Sequence, residues 1–257
     1  MTGPERRGIV LQPRDRQLLD ELAAMRVVDR EQATVIAGFG SLTRANVRLL
    51  ALTRAGLLRR FFLGSEAVGR KALYALSTKG AKLVGKPLRG PRRKTGQMIV
   101  ADHFIEHQLA VNDVHCDLAF KPLSLGFAFK QWLPFFEPLP NTRCIPDGYV
   151  ELTTASGTLA AFIEADLGHE SIAIWRQKVR NYLDYALSGR HERDFDQRTF
   201  RVLVLANSEG RLRSIRQATA SITEKLFRFA ELDAIRREGF FAPVWYRAQK
   251  SDPQPLT

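Results

Sequence analysis

Three carboxylates lie where two strands of this chain are expected to meet. The segments IPDGYVEL and GTLAAFIEAD read as neighbouring strands joined by the turn-like Thr154-Ala-Ser-Gly157. With Thr153 opposite Thr158, counting outward sets Asp147 opposite Glu164, and Asp166, two residues on, projects from the same face. Directly opposed residues have Cβ atoms roughly 4.5–5.5 Å apart, where two carboxylates repel unless a cation or a proton lies between them. Three oxygen ligands at the open end of a hairpin suit Mg²⁺ or Mn²⁺, hard ions that need neither histidine nor cysteine. The alternative is structural: Asp147 starts a strand after Pro146, and Glu164 and Asp166 pair with nearby Arg or Lys.

A second set of chemistry-bearing residues lies nearer the N-terminus, and the elements that position it are legible. Pro13 opens a helix with Leu18, Leu19, Leu22 and Met25 at helical spacing. Asp29 caps a short second helix, Ser41 caps a third that runs to Ala55, and Gly56 stops it. Two apolar-rich strands follow, LLRRFFL and RKALYAL, separated by GSEAVG, and STKGAKLVG closes the segment as a helical turn.

This order resembles a winged helix-turn-helix over residues 10–85. The resemblance rests on Ser41, Leu42, Thr43 and Arg44 through Leu49 and Leu50, on Ala55-Gly56-Leu57, and on Tyr74-Ala-Leu-Ser77 with Gly80. It implies a third helix in the major groove presenting Thr43, Arg44, Asn46, Val47 and Arg48. Arg44 and Asn46 have the chemistry to read base edges, and Val47 packs inward as an alternative. The wing would bring Arg70 and Lys71, with Arg59 and Arg60 on the preceding strand, near phosphate. The bland reading is a solvated basic face that supports protein contacts.

Charge favours a polyanionic partner, double-stranded DNA. The chain of 257 residues carries a formal +12, and its first 100 residues hold 20 Lys or Arg against 7 Asp or Glu, so the later part is close to neutral. The length fits two domains of ordinary size. We expect a DNA-binding domain at 1–85, a basic Pro- and Gly-rich linker at 86–98, and an α/β domain at 99–257. Two cysteines, Cys116 and Cys144, make no disulfide framework, and the charged start MTGPERRGIV lacks an apolar leader, so a cytoplasmic protein without membrane attachment is expected. No Gly-rich phosphate loop and no catalytic Ser-His-Asp signature is present.

From residue 99 the periodicity gives a helix near 100–119, strands near 127–133, 146–153 and 158–166, and a helix near 170–188. A strand near 200–206, a helix near 210–230 and a final strand near 241–247 follow. That order, with Pro146-Asp147 and Glu164-Ala165-Asp166 on consecutive strands, resembles the PD-(D/E)XK nuclease superfamily. More narrowly, the chain is similar to the replication-relaxation family, on Pro146-Asp147-Gly148, Phe162-Ile-Glu164-Ala-Asp166, and Lys178 with Tyr182. The resemblance implies an α/β (α+β) fold in which a winged helix precedes a restriction-endonuclease-like αβββαβ domain. It also implies work in plasmid or mobile-element replication and mobilisation, with a relaxase or replication protein, or a second copy of the chain, as partner.

In this likeness Asp147 and Glu164 hold the metal and Asp166 is a third or outer ligand. Lys178, which leans from the flank of a helix whose apolar stripe is Ile172, Trp175, Val179, Leu183 and Ala186, stabilises developing charge. The chain departs from the superfamily pattern in having Asp166 where a lysine is usual, and some superfamily members supply that lysine from the following helix. The superfamily also places an acid on the first helix of the domain, for which Glu106 and Asp113 both qualify. His103 and His107, four apart on that helix, lack a visible third ligand and read as a packed or surface pair. The non-enzymatic rival is a transcriptional regulator or relaxosome accessory factor whose C-terminal domain docks partners or dimerises. A restriction-like or transposon-end endonuclease uses the same acids.

Overall fold

The computed structural model describes residues 9–65, 69–91, 93–99 and 102–256; the expected N-terminal segment 1–8 and the centre of the GSEAVG turn lie outside the described residues. The chain divides into two compact units, Met1–Cys116 and Asp117–Thr257.

In the first unit α1 (Pro13–Met25) starts at a proline, and the Gln12 backbone amide donates to Asp15. Strand β1 (Val28–Asp29) leads into α2 (Arg30–Ile36), whose cap Asp29 accepts from the Gln32 amide, and Ser41 caps α3 (Leu42–Arg54) through the Arg44 amide. Strands β2 (Leu58–Ser65) and β3 (Gly69–Leu76) form the expected hairpin, followed by α4 (Thr78–Val84) with Ser77 as cap and left-handed Gly85 as stop. Gly80 is required there, because a Cβ would lie 2.2 Å from the Leu57 carbonyl oxygen.

The basic segment does not remain a free linker. Strand β4 (Met98–Ile99) pairs in parallel with Phe62 and Leu63, which makes the sheet order β1-β3-β2-β4. Helix α5 (His103–Ala119) then belongs largely to the first unit rather than to a domain starting at residue 99. The reason is burial: Ile99, Ile105 and Leu109 share one apolar cluster with Val27, Phe61, Leu73 and Ala75. Asn112 Nδ2 adds hydrogen bonds to the carbonyls of Met25 and Val27 at 3.2 and 2.6 Å.

The second unit contains β5 (Ala128–Leu133), β6 (Gly148–Thr154), β7 (Gly157–Asp166), α6 (Ile172–Leu187) and α7 (Arg190–Phe195). It continues with β8 (Arg201–Ala206), α8 (Glu209–Ala220), β9 (Phe227–Glu231) and α9 (Leu232–Glu238). The five strands stand in the order β5-β6-β7-β8-β9, antiparallel from β5 to β7 and parallel from β7 to β9, so the fold is α/β with a mixed sheet. Gly148 at the head of β6 is packed under Trp132, whose ring would lie 2.3 Å from a Cβ.

Two expected elements change. The helix expected over 210–230 stops at Ala220, and 227–231 becomes a fifth strand whose Phe227 and Phe229 enter the core. The strand expected at 241–247 reduces to single bridges, Phe229 with Tyr246 and Trp245 with Gln254. Helix α6 is also rotated from its expected face. Trp175, Val179, Tyr182 and Tyr185 are buried, while Ile172, Leu183 and Ala186 are only partly so. The tyrosines can be buried because each hydroxyl has a carboxylate partner, Glu164 for Tyr182 and Asp194 for Tyr185. No helix of the described residues is long and apolar enough to cross a membrane.

Candidate functional site

The acidic site is built by the hairpin β6–β7 and closed by α6. Thr153 pairs with Thr158 and Gly148 with Ile163, and Asp147, one residue before β6, continues that register beside Glu164. Its backbone amide donates to the Ile163 carbonyl at 3.1 Å, and its Oδ2 accepts from the Ala165 amide at 2.8 Å. Glu164 is 1% exposed. Its Oε2 lies 2.9 Å from Lys178 Nζ, its Oε1 accepts from the Tyr182 hydroxyl, and the Cys144 thiol lies 3.9 Å from Oε1. Lys178 Nζ is also 3.0 Å from Glu170 Oε1.

Burial and the negative charge of Asp147 push the Glu164 carboxyl up to about 7 against the pull of Lys178 and Tyr182. For Lys178, burial works against the ammonium, but Glu164, Asp147 and Glu170 overcome it and hold the group well above the usual lysine range. Burial, with the charges of Glu164 and Asp147, keeps the Cys144 thiol protonated, which removes it as a nucleophile.

Asp166 does not join this group. Both of its oxygens are taken by Arg211 of α8, at 2.8 and 2.7 Å, and Oδ1 also accepts from the Gly168 amide at 2.8 Å. The structural alternative therefore describes Asp166, whereas Asp147, Glu164 and Lys178 are brought together. Tyr182, Glu170 and Cys144 complete the surroundings. Of these only Tyr182 carries a signal in the sequence, its position one helical turn after Lys178. On α5, Asp113 Oδ1 accepts from Gln32 Nε2 at 2.6 Å, and His103 Nδ1 lies 3.6 Å from Glu106 Oε2.

The basic face of the first unit divides in the same way. Thr43 and Arg44 are exposed at the start of α3, Asn46 is half-buried, and Val47 points outward, 65% exposed, rather than inward. Arg48 turns back to buried Asp15, with Nε 2.9 Å from Oδ1 and a second bond from Nη2, and also donates to the Val10 carbonyl. Arg59 donates to the carbonyls of Leu76 and Arg93. These two arginines hold the fold, so they leave the set expected to meet nucleic acid.

Asn46, Arg60, Arg70 and Lys71 instead line one concavity of about 660 Å³ together with Arg30. Lys71 is anchored to Asp29 at 2.6 Å, and Arg60 lies over the Phe62 ring, its Nε buried without a hydrogen-bond partner among the described residues. Arg30 was not foreseen, since it reads simply as the first residue of α2.

Comparison with known proteins adds one finding. A family model described as Replication-relaxation matches residues 19–198, which takes in both the basic concavity and the Asp147–Glu164–Lys178 group. No curated protein and no solved structure matches. With well over half of its length matched by that model, the chain belongs to the replication-relaxation family.

Proposed function

We propose that this protein is a DNA-binding factor of plasmid or mobile-element replication and mobilisation, with residues 10–85 acting as a winged helix-turn-helix on double-stranded DNA. The observation that carries the reading is the concavity shared by Asn46, Arg60, Arg70, Lys71 and Arg30, flanked on α3 by exposed Thr43 and Arg44. The guanidinium of Arg60, its Nε without a hydrogen-bond partner among the described residues, and a lysine held at a fixed point suit phosphate oxygens, while Arg44 and Asn46 suit base edges.

A mobility-shift titration at several salt concentrations tests it. Arg44→Ala and Asn46→Ala are each expected to weaken binding to the cognate site about tenfold, which corresponds to ~1.4 kcal/mol of lost base contact. Arg70→Ala is expected to weaken all sequences alike and to flatten the salt dependence by about one unit of slope. Equal binding by all three variants and wild type removes the proposal.

A second reading is favoured by one distance, the 2.9 Å between Lys178 and Glu164. In it the second unit is a PD-(D/E)XK-like, metal-dependent endonuclease. Asp147 and Glu164 are hard oxygen donors on adjacent strands, of the kind Mg²⁺ or Mn²⁺ takes; a metal would have to displace Lys178 or Tyr182 from Glu164, as it would have to displace Arg211 from Asp166. A divalent ion there would supply Lewis acidity for phosphodiester hydrolysis. Tyr182 fixes one oxygen of Glu164, Asp147 is held by the Ala165 amide, and Lys178 keeps a proton and a positive charge at Nζ for developing phosphate charge.

Incubation of supercoiled and linear DNA with Mn²⁺, Mg²⁺ or EDTA distinguishes the outcomes. Metal-dependent nicking that Asp147→Ala and Glu164→Ala both abolish supports the nuclease. DNA left intact yet bound equally by all three proteins makes the second unit a docking module for a relaxase, a replication protein or a second copy.

A further inference from the structure

The second unit holds another charged feature at the opposite end of its sheet. Strands β7, β8 and β9 run parallel, so their C-terminal ends carry Glu164 and Asp166 and their N-terminal ends carry Arg201 and Arg228. Arg247, next to the Tyr246 bridge to β9, meets them in a cavity of about 560 Å³. Arg228 is only 8% exposed, and the one hydrogen bond of its side chain among the described residues runs from Nη1 to the carbonyl of its own neighbour Phe227. Arg247 Nε is buried without a hydrogen-bond partner among the described residues. None of the three forms an ion pair among the described residues; Glu224 sits at the exposed rim beside Lys225 without pairing to them.

Three guanidinium groups gathered without a counter-charge are costly to the isolated fold. Burial first, then the charges of Arg201 and Arg247, push Arg228 down to about 10, which still leaves it charged at neutral pH. The arrangement gains what it lacks when a multiply charged anion enters, because guanidinium forks match phosphate oxygens in bidentate geometry. The walls restrict which anion: Phe127, Phe200 and Leu226 are apolar, and Thr158 and Thr199 supply hydroxyls. The volume lies within the range of ordinary small-ligand sites and exceeds what a bare phosphate fills.

We propose that this cavity binds a nucleoside phosphate, its phosphate on Arg201, Arg228 and Arg247 and its base against Phe127. The ligand is either a free nucleotide or the phosphorylated end of a DNA strand. The site is separate from the Asp147–Glu164–Lys178 group and does not depend on metal binding or cleavage there.

Calorimetric titration of the intact protein tests the proposal with deoxyadenosine monophosphate, deoxyadenosine, inorganic phosphate, and short oligonucleotides with a 5′-phosphate or a 5′-hydroxyl. The monophosphate is expected to bind with Kd on the order of 10 µM, at least tenfold more tightly than deoxyadenosine or inorganic phosphate. Arg228→Met and Arg247→Met are each expected to weaken it at least tenfold, and Arg213→Ala, on an exposed part of α8, to leave it unchanged. A 5′-phosphorylated oligonucleotide that competes with the monophosphate, and loses that competition in Arg228→Met, identifies the strand end as the source. Competition by the free monophosphate alone identifies the nucleotide.

Thermal unfolding without ligand supplies the control for folding. Arg228→Met removes a buried like charge and is expected to melt no lower than wild type. A clear drop in melting temperature for both methionine variants would assign the arginines a structural role and overturn the proposal. So would absence of monophosphate binding, or binding that both variants retain.

Discussion

Replacing Lys178 with methionine is expected to lower the stability of the second unit by about 3–5 kcal/mol, since it leaves a buried carboxylate without its cation. Glu164 is almost fully inaccessible and has only Lys178 as an adjacent ammonium; the Tyr182 hydroxyl bonds its other oxygen but brings no charge. Urea unfolding of Lys178→Met, Glu164→Gln and the double variant isolates the coupling. The double variant is expected to recover much of the loss, because a neutral amide beside a thioether needs no counter-ion. A Lys178→Met protein within about 1 kcal/mol of wild type would show that Glu164 is neutralised by a proton or reached by water once Lys178 is gone, and that the ion pair is not what holds this corner. Such a stability measurement is informative whether or not the protein cuts DNA, because it reads the buried ion pair directly.

Acid should weaken the first unit through His115, by about 3 kcal/mol between pH 6.5 and pH 4. His115 on α5 is buried, and burial pushes its imidazole down from 6.5 to about 4. The folded pKa is below the unfolded one, so the unfolded chain takes up a proton that the folded chain refuses. The stabilisation is therefore complete above pH 6.5 and is lost progressively as the pH falls towards 4. His115→Gln is expected to flatten the stability profile across that window, read by denaturant unfolding at closely spaced pH values. A profile as steep in the variant as in wild type would place the acid sensitivity elsewhere. Asp15 adds a loss at lower pH: burial raises its carboxyl, but the bonds from Arg48 and Gln12 outweigh this and hold it below the usual range.

Local signals in the sequence carried most of the first unit. Pro13, Asp29, Ser41 and Ser77 act at the residue where each helix begins, so one or two side chains suffice to place an element. The pairing of Asp147 with Glu164 was legible for a similar reason, because a short turn at Thr154–Gly157 sets the register of everything before and after it. What stayed hidden depends on partners far along the chain. Asp166 and Arg211 are 45 positions apart, and nothing near either one announces the bond. Strand β9 is five residues long and owes its state to a parallel neighbour, so a helical reading of its surroundings runs straight over it. The buried face of α6 takes in Tyr182 and Tyr185, which an apolar stripe read from the sequence leaves out, because a carboxylate satisfies each hydroxyl. Arg201, Arg228 and Arg247 stand on separate segments and become a group only once the sheet brings their strand ends together.

Strand β5 is the outer strand of the second sheet, hydrogen-bonded on one side only among the described residues. Its ladder with β6 is broken between Phe129 and Gln131, and the residue between them, Lys130, reaches Glu151 of β6 at 2.7 Å. A bulge with a tethered cation on it is a poor template for a further strand, because an incoming chain meets a kinked backbone and a charge it cannot pair. Phe129 and Leu133 on the same strand are more than a third exposed. A straight ladder without Lys130 would present a flatter and more apolar border, so removing the bulge is expected to make the second unit more prone to self-association on refolding.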